Sequence, residues 1–172
     1  MAIKSENQKK TDTSRRSFVK TSAVAAASFM IVPRHVLGGT GYRAPSDRLI
    51  IASVGAGGKG NDDINRFYKS GKADIGFLCD VDDRRCAGTV KQFPNAKRYR
   101  DWRELFDKES KNFDAVSVST PDHTHAIVGM GAMQLGKHTW IQKPMAHDIY
   151  EARELTKAAA RYKVVTQMGN QG

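Results

Sequence analysis

Three glycines with G-x-G-x-x-G spacing, Gly55, Gly57 and Gly60, directly follow an apolar run, and no other feature constrains the fold as much. The run, residues 49–54, has the length and composition of a buried strand. In this pattern the first glycine permits a tight turn, the second lets backbone approach a pyrophosphate, and the third lets a helix pack closely. The helix N-terminus then offers N–H groups and a partial positive charge to phosphate oxygens. A glycine-rich loop without a ligand would read the same, so the interpretation depends on what surrounds the loop.

An acidic residue stands where this fingerprint places one. A second apolar run, residues 73–79, ends in Asp80, about twenty residues beyond the last glycine. A carboxylate there accepts hydrogen bonds from the adenosine ribose and repels a 2′-phosphate, which favours NAD over NADP. Two alternatives stay open: Asp80 caps the next helix, or Arg84 and Arg85 accommodate NADP. The nucleotide-binding residues predicted from this part of the chain are Gly55, Gly57, Gly58, Lys59, Gly60 and Asp80.

Strand and helix patterns alternate from Arg48 onwards, with short connections. A chain of 172 residues with 40% hydrophobic content is long enough for one domain with a full core. The pattern predicts an α/β fold, a Rossmann-type doubly wound parallel sheet. The expected strands are residues 49–54, 73–79, 98–99, 113–119, 138–141 and 164–168, and the expected helices are residues 61–70, 82–93, 102–108, 127–135 and 149–162.

The net charge of +10 is concentrated at one end of the chain. Residues 1–43 hold eight basic and two acidic side chains, which account for +6 of that charge. In residues 44–172 the two signs are interspersed, and no basic run with interleaved aromatic residues could track a phosphate backbone. The charge pattern therefore argues against nucleic-acid binding.

The basic segment has the pattern of an export signal. Arg15 and Arg16 precede Phe18 and Lys20, and an uncharged, alanine-rich run follows at residues 23–32. This order resembles a twin-arginine (Tat) signal, and the run is too short to span a bilayer as a stable helix. An ordinary amphipathic helix is the alternative, but the run has no polar face.

The expected domain boundaries follow from this signal. We expect residues 1–43 to be a Tat-type signal and linker, and residues 44–172 to be the dinucleotide-binding domain. Export by this route would place the protein in the periplasm or another extracytoplasmic space. If the signal is not cleaved, the protein would stay tethered to the membrane.

Two histidines follow the strand expected at residues 113–119. His123 and His125, beside Asp122, have ligand types that suit a metal ion. However, Pro121 breaks the strand, and Asp122 is well placed to cap the next helix. Capping and loop polarity are the favoured interpretation, so no metal site is predicted.

A lysine leaves the end of another apolar strand in the sequence Gln142-Lys143-Pro144. Ligands of such sheets bind at the carboxyl ends of the strands. A lysine held there can transfer a proton or stabilise an alkoxide, particularly when partial burial lowers its pKa. The alternative is a solvated loop lysine.

Together these motifs resemble the nucleotide-binding half of the glucose-fructose oxidoreductase / inositol dehydrogenase (Gfo/Idh/MocA) family. The similarity runs from about Arg48 to the last residue, and residues 167–172 also resemble the exported, Tat-dependent members. The residues that carry it are the glycine loop with Asp80, Thr120-Pro121-Asp122 with His125, Gly136-Lys137-His138, and Lys143-Pro144.

The resemblance implies NAD(P)-dependent hydride transfer to or from a sugar, polyol or related carbonyl. In such enzymes a Thr-Pro segment lies beside the nicotinamide, and a lysine reaches both the substrate and the nicotinamide ribose. This implies that Thr120, Pro121, His125, Gln142 and Lys143 bind the cofactor and that Lys143 is catalytic. Gln142 stands where the family usually has a Glu, so the charge that would tune the lysine is missing here.

The resemblance also implies a second domain. In this family the substrate-binding sheet and a catalytic His or Asp come from a C-terminal α+β domain, which does not follow Gly172. We therefore expect a fragment of an exported oxidoreductase that is inactive alone, with NAD, a carbohydrate-like substrate and the Tat machinery as partners. A homo-oligomer of the full-length form is compatible with this resemblance.

Two other classes of protein stay open. One is a non-catalytic nucleotide-binding or regulatory module. The other is an exported structural or interaction protein that keeps the fold but binds no nucleotide. The intact glycines and Asp80 argue against the second of these.

Overall fold

The computed structural model describes residues 44–170, so the predicted export signal in residues 1–43 lies outside the described residues. Two single-turn 3-10 helices, Pro45–Asp47 and Asp122–Thr124, accompany the regular elements. In chain order these are β1 (Leu49–Val54), α1 (Lys59–Lys69), β2 (Ala73–Cys79), α2 (Asp83–Gln92), β3 (Lys97–Tyr99), α3 (Trp102–Glu109), β4 (Ala115–Val118), α4 (His125–Gln134), β5 (His138–Ile141), α5 (Ile149–Tyr162) and β6 (Thr166–Met168). Every predicted strand and helix is present. The largest shifts are two residues: α1 and α4 begin two residues earlier than expected, and β4 and β6 begin two residues later.

The six strands form one parallel sheet in the order β3-β2-β1-β4-β5-β6. The chain builds outwards from β1 to one edge, returns to the middle at β4 and then builds to the other edge. This is the doubly wound order, so the predicted fold class is confirmed. The order reverses between β1 and β4, and in such sheets the ligand crevice lies outside the carboxyl ends of these strands.

Helices cover both faces of the sheet. On one face Ile51, Ile75 and Leu78 of the strands pack with Ile64 of α1 and with residues of α2. On the other face the strands pack against α3, α4 and α5. Each fully buried aliphatic side chain, such as Ile64, contributes about 1.5–3 kcal/mol to stability. The two layers hold the strand ends in place, and the functional residues follow those ends.

Acidic side chains cap three of the helices. Asp82 caps α2 by accepting from the backbone N–H groups of Arg84 and Arg85. Asp101 and Asp148 cap α3 and α5 in the same manner. Because Asp82 takes the cap of α2, the alternative that Asp80 caps this helix is wrong.

The entry to α4 differs from the prediction. Asp122 was expected to cap this helix, but the chain enters it through the 3-10 turn Asp122–Thr124. Neither that turn nor α4 has a side-chain cap hydrogen bond. The prediction was wrong because the extra turn places Asp122 three residues before the start of α4.

Between residues 44 and 170, no helix combines the length and the apolar character that a membrane span requires.

Candidate functional site

The strand ends are joined by a row of backbone hydrogen bonds. The residue that follows each of β1, β2, β4, β5 and β6 donates its N–H to the last residue of a neighbouring strand, so the pairing continues by one residue at the carboxyl ends of the strands. The donors and acceptors are Asp80 to Tyr99 (3.2 Å), Gly55 to Cys79 (2.8 Å), Ser119 to Val54 (2.9 Å), Gln142 to Val118 (2.8 Å) and Gly169 to Ile141 (2.7 Å). The row places the glycine loop and the residues after β2, β4 and β5 side by side at the carboxyl ends of the strands.

The first and third glycines of the loop are required by close backbone packing. Gly55 has a φ of 82°, and a Cβ on it would lie 2.6 Å from the carbonyl oxygen of Ser119. A Cβ on Gly60 would lie only 1.7 Å from the carbonyl oxygen of Gly55. The predicted tight turn and close helix packing are therefore confirmed.

The second glycine also packs closely against α2. A Cβ on Gly57 would lie 2.9 Å from the carbonyl oxygen of Arg85, so this glycine lets the loop pack against the first turn of α2. The guanidinium of Arg85 lies 3.2 Å from the position that a Cβ on Gly58 would take. Arg85, for which the sequence leaves open a solvated charge or a role in accommodating NADP, therefore lies against the glycine loop.

The N-terminus of α1 is not capped by a side chain. Its N-cap residue is Gly58, which offers no side-chain acceptor to the first turn. The Thr89 hydroxyl of α2 holds the loop from below by donating to the carbonyl of Ala56 at 2.8 Å. An uncapped helix N-terminus is a suitable place for phosphate oxygens.

Lys59, predicted to bind the nucleotide, forms an ion pair within its own helix. Its Nζ lies 3.1 Å from a carboxylate oxygen of Asp63, one turn further along α1. The positive charge of Lys59 is therefore paired with an acid of the same helix. In this conformation the backbone N–H groups of α1, and not the ammonium group, are available to a ligand.

Asp80 ties the glycine loop to the end of β2. One carboxylate oxygen accepts from the N–H of Gly57 at 2.8 Å, and the other accepts from the N–H of Asp82 at 2.9 Å. A carboxylate has about four acceptor positions, so these two bonds leave capacity for ribose hydroxyls. The predicted ribose role is compatible with this geometry.

Two buried cysteines lie near Asp80 in the chain. Burial, followed by the negative charges of Asp101 and Asp80, raises the pKa of the Cys79 thiol to about 12. Burial also raises the pKa of the Cys86 thiol. Because a nucleophile requires the thiolate, neither cysteine is suited to covalent catalysis.

Thr120 offers an unused hydroxyl at the end of β4. Its Oγ1 is buried and has no hydrogen-bond partner in residues 44–170. A buried hydroxyl left without a partner costs about 1–3 kcal/mol. A ligand that hydrogen-bonds to Thr120 would remove this cost, so the hydroxyl is compatible with a cofactor at the end of β4.

His125 joins two loops of the site. Its ring is fully buried, with Nε2 2.7 Å from the carbonyl oxygen of Thr120 and Nδ1 2.6 Å from that of Pro144. Both ring nitrogens therefore face the protein, and none is left for a ligand. The prediction that His125 touches the cofactor is corrected: it holds the Thr120-Pro121 segment against the cis Lys143-Pro144 segment.

The two histidines of the His-x-His pair lie in different environments. His123 is exposed, whereas the His125 ring is occupied by two carbonyl groups. Within the part of the chain that the structure describes, no group of three His, Cys, Asp or Glu side chains is arranged to hold a metal ion.

Lys143 follows β5 with its backbone held and its side chain exposed. Its N–H donates to Oε1 of Gln142 at 2.8 Å. The Gln142 side chain is buried, and its Nε2 donates to Asp63 at 3.0 Å. Both ends of the Gln142 amide are thus hydrogen-bonded inside the protein, so neither end is free to bind a ligand.

Asp63 is a residue that sequence analysis missed. It lies on α1, and its carboxylate contacts residues that follow β4 and β5. The available signal was its place one turn after Lys59, at the spacing of a helical ion pair. Nothing in the local sequence shows that this pair faces the strand ends.

The geometry agrees with what is found in known proteins. A family model described as "Oxidoreductase family, NAD-binding Rossmann fold" (GFO_IDH_MocA) matches residues 49–170. Among curated proteins, a glycosyl hydrolase family 109 protein of Shewanella pealeana is 24% identical over 86% of this chain and 37% of its own length. An inositol 2-dehydrogenase of Rubrobacter xylanophilus is 30% identical over 67% of this chain and 33% of its own length.

Solved structures give the same picture. GenD2 from gentamicin A biosynthesis, in complex with NAD, superposes with a TM-score of 0.66 at 25% identity, over 81% of this chain and 37% of that one. The WlbA dehydrogenase from Chromobacterium violaceum, in complex with NADH and UDP-GlcNAcA, gives a TM-score of 0.65 at 22% identity, with the same two coverages. The chain thus spans 37% of the length of the first of these curated relatives and of both solved structures.

Proposed function

The chain belongs to the Gfo/Idh/MocA family of oxidoreductases with an NAD-binding Rossmann fold, and on this premise we propose that it is the cofactor domain of an enzyme acting on a sugar, polyol or related carbonyl. One observation carries the proposal. The glycine loop, Asp80, Thr120 and Lys143 all follow strands of one sheet edge, where ligands of doubly wound sheets bind.

The described residues fit NAD at three places. The uncapped start of α1 would receive the pyrophosphate, and Asp80 would accept from the adenosine ribose. The unpartnered hydroxyl of Thr120 would bind towards the nicotinamide. When bound, NAD supplies the hydride acceptor of such a reaction.

Lys143 has the position for proton transfer. Its side chain is exposed beyond the end of β5, and no hydrogen bond or ion pair of its ammonium group occurs in residues 44–170. In its neutral amine form Lys143 would accept the proton of the hydroxyl that is oxidised, and its ammonium form would return a proton in the reverse reaction. Groups outside the described residues would complete the substrate pocket.

The names of related proteins support the substrate class. They include the inositol 2-dehydrogenase and the WlbA complex with UDP-GlcNAcA. A second candidate function, cleavage of a glycoside, is favoured by the relatives named glycosyl hydrolase family 109. Two activity assays separate the candidates. A glycosidase would release a sugar from a glycoside, whereas a dehydrogenase would give net reduction of NAD by a polyol. A non-catalytic nucleotide-binding module would give neither reaction.

The Asp80 carboxylate should determine which nucleotide is preferred. Asp80→Ala is expected to weaken NAD binding about tenfold and NADP binding less, because ribose hydrogen bonds to a charged group and repulsion of the 2′-phosphate are both lost. Calorimetric titration of the 172-residue chain with both nucleotides measures this.

A neighbouring acid provides the control. Asp82→Ala removes the same charge two residues away and loses the cap of α2, at a cost of about 1 kcal/mol in stability. It should leave the ratio of NAD to NADP affinities unchanged. A preference for NADP in the unmodified protein, or an equal loss of both affinities in Asp80→Ala, would overturn the ribose assignment.

We also propose that residues 1–43 direct export through the Tat route. The support is the twin arginine at Arg15 and Arg16 ahead of an uncharged run. A fusion of this segment to a folded reporter should be exported, and replacement of both arginines with lysine should stop export at unchanged net charge. Export that persists in the lysine variant would rule out this signal.

A further inference from the structure

Asp63 is a buried carboxylate whose partners come from three separate parts of the chain. Its side chain is 3% exposed. It accepts from the Ser119 hydroxyl at 2.9 Å and from Gln142 Nε2 at 3.0 Å, and its other oxygen lies 3.1 Å from Lys59 Nζ. A buried charge is tolerated only when it is paired and hydrogen-bonded. Asp63 meets both conditions at the ends of β4 and β5.

The contact with Asp63 dictates the residue type at position 142. Gln142 donates to the carboxylate with its nitrogen and accepts from the N–H of Lys143 with its oxygen. A glutamate could make the second bond but would place a carboxylate oxygen about 3 Å from Asp63, where like charges repel strongly. An amide is therefore needed here as long as residue 63 is an acid.

The same network decides which lysine is neutralised. Lys59 pairs with Asp63, whereas the ammonium group of Lys143 has no carboxylate partner in residues 44–170. Lys143 is thus held by its backbone N–H through Gln142. Its side chain stays free to approach a ligand.

We propose that Asp63 is a positioning residue, which through Gln142 and Ser119 holds Lys143 and the Thr120 segment against the nicotinamide end of NAD. Asp63 itself is buried below the crevice and touches no ligand. The proposal rests on the proposed function, since it assumes that NAD binds along this edge.

The experiment compares two ligands that share one half. NAD and ADP-ribose both occupy the glycine loop and the Asp80 region, but ADP-ribose lacks the nicotinamide. Asp63→Asn is expected to weaken NAD binding about tenfold, the size of a lost charged hydrogen bond, and to leave ADP-ribose affinity within about twofold. Asp62→Asn, the same change at the neighbouring exposed position of α1, should leave both affinities unchanged.

A charge exchange tests the link to Gln142. Gln142→Glu alone should lower the melting temperature by about 5–10 °C, because it buries two facing carboxylates. Combining Asp63→Asn with Gln142→Glu leaves one carboxylate and one amide, and should recover at least half of that loss together with the NAD affinity. If Gln142→Glu does not fold, Asp63→Asn and the double variant still give the comparison.

The outcomes are separable. Equal weakening of NAD and ADP-ribose in Asp63→Asn, or no recovery in the double variant, would overturn the positioning role while leaving the proposed function intact. Failure of the unmodified protein to bind either ligand would overturn the proposed function, and this proposal with it. Selective loss of NAD affinity with recovery in the double variant would support both.

Discussion

Gly60→Ala should abolish NAD binding and lower the stability of the domain by more than about 4 kcal/mol, a size reserved for severe clashes and buried charges. The added Cβ would lie 1.7 Å from the carbonyl oxygen of Gly55. Neither partner can yield by a side-chain rotation, because the clash is with backbone. Either α1 moves away from the sheet or the turn at Gly55 is lost. Thermal unfolding and titration with NAD measure the two effects.

Gly88 provides the matched control for this substitution. It lies within α2, and a Cβ on it would meet nothing within 4 Å. Gly88→Ala should therefore raise stability by about 0.5–1 kcal/mol, the gain from replacing a helical glycine. NAD affinity in Gly60→Ala within a few-fold of the unmodified value would contradict the packing described for the loop.

Lys143→Ala is expected to reduce turnover about a hundredfold, the usual size of a lost general acid or base. Turnover is measured in a protein that joins this domain to a substrate domain of the same family, because the chain spans 37% of the length of its Shewanella pealeana relative. NAD affinity should stay within a few-fold, because the backbone contacts of Lys143 with Gln142 are kept.

The control for Lys143 is an exposed lysine far from the strand ends. Lys111 lies between α3 and β4, at the amino ends of the strands and so away from the predicted site. Lys111→Ala should change neither turnover nor stability beyond about 0.5 kcal/mol. Near-normal turnover in Lys143→Ala, or a fall in melting temperature that accounts for the lost activity, would remove Lys143 from the catalytic role.

The fold could be predicted because its signals are local. Apolar runs and glycine turns gave the bounds of β5 and α5 to the residue, and the spacing of Gly55, Gly57 and Gly60 indicated the type of sheet. Caps by Asp82 and Asp101 are equally local, since each carboxylate accepts from N–H groups two or three residues away.

The missed features depend on partners that are distant in the chain. Asp63 and Gln142 are 79 residues apart. Their contact exists only because β5 lies beside β4 and α1 begins at the same ends of the strands. The buried position of His125 has the same origin, since Pro144 is 19 residues away. The residue type determines which bonds a side chain can form, whereas the strand order determines which partners lie close enough to form them.

The row of hydrogen bonds across the strand ends has a consequence for folding. Its donors include Gly55, which follows β1, and Gly169, which follows β6, so the row is complete only when the whole sheet has paired. Parallel pairings of this kind are non-local and form late and slowly. Incompletely paired chains would lack the assembled strand ends and would therefore not bind the nucleotide. A ligand at these strand ends would then bind only the completed fold. Once binding is saturated, the stabilisation would rise in proportion to the logarithm of the ligand concentration.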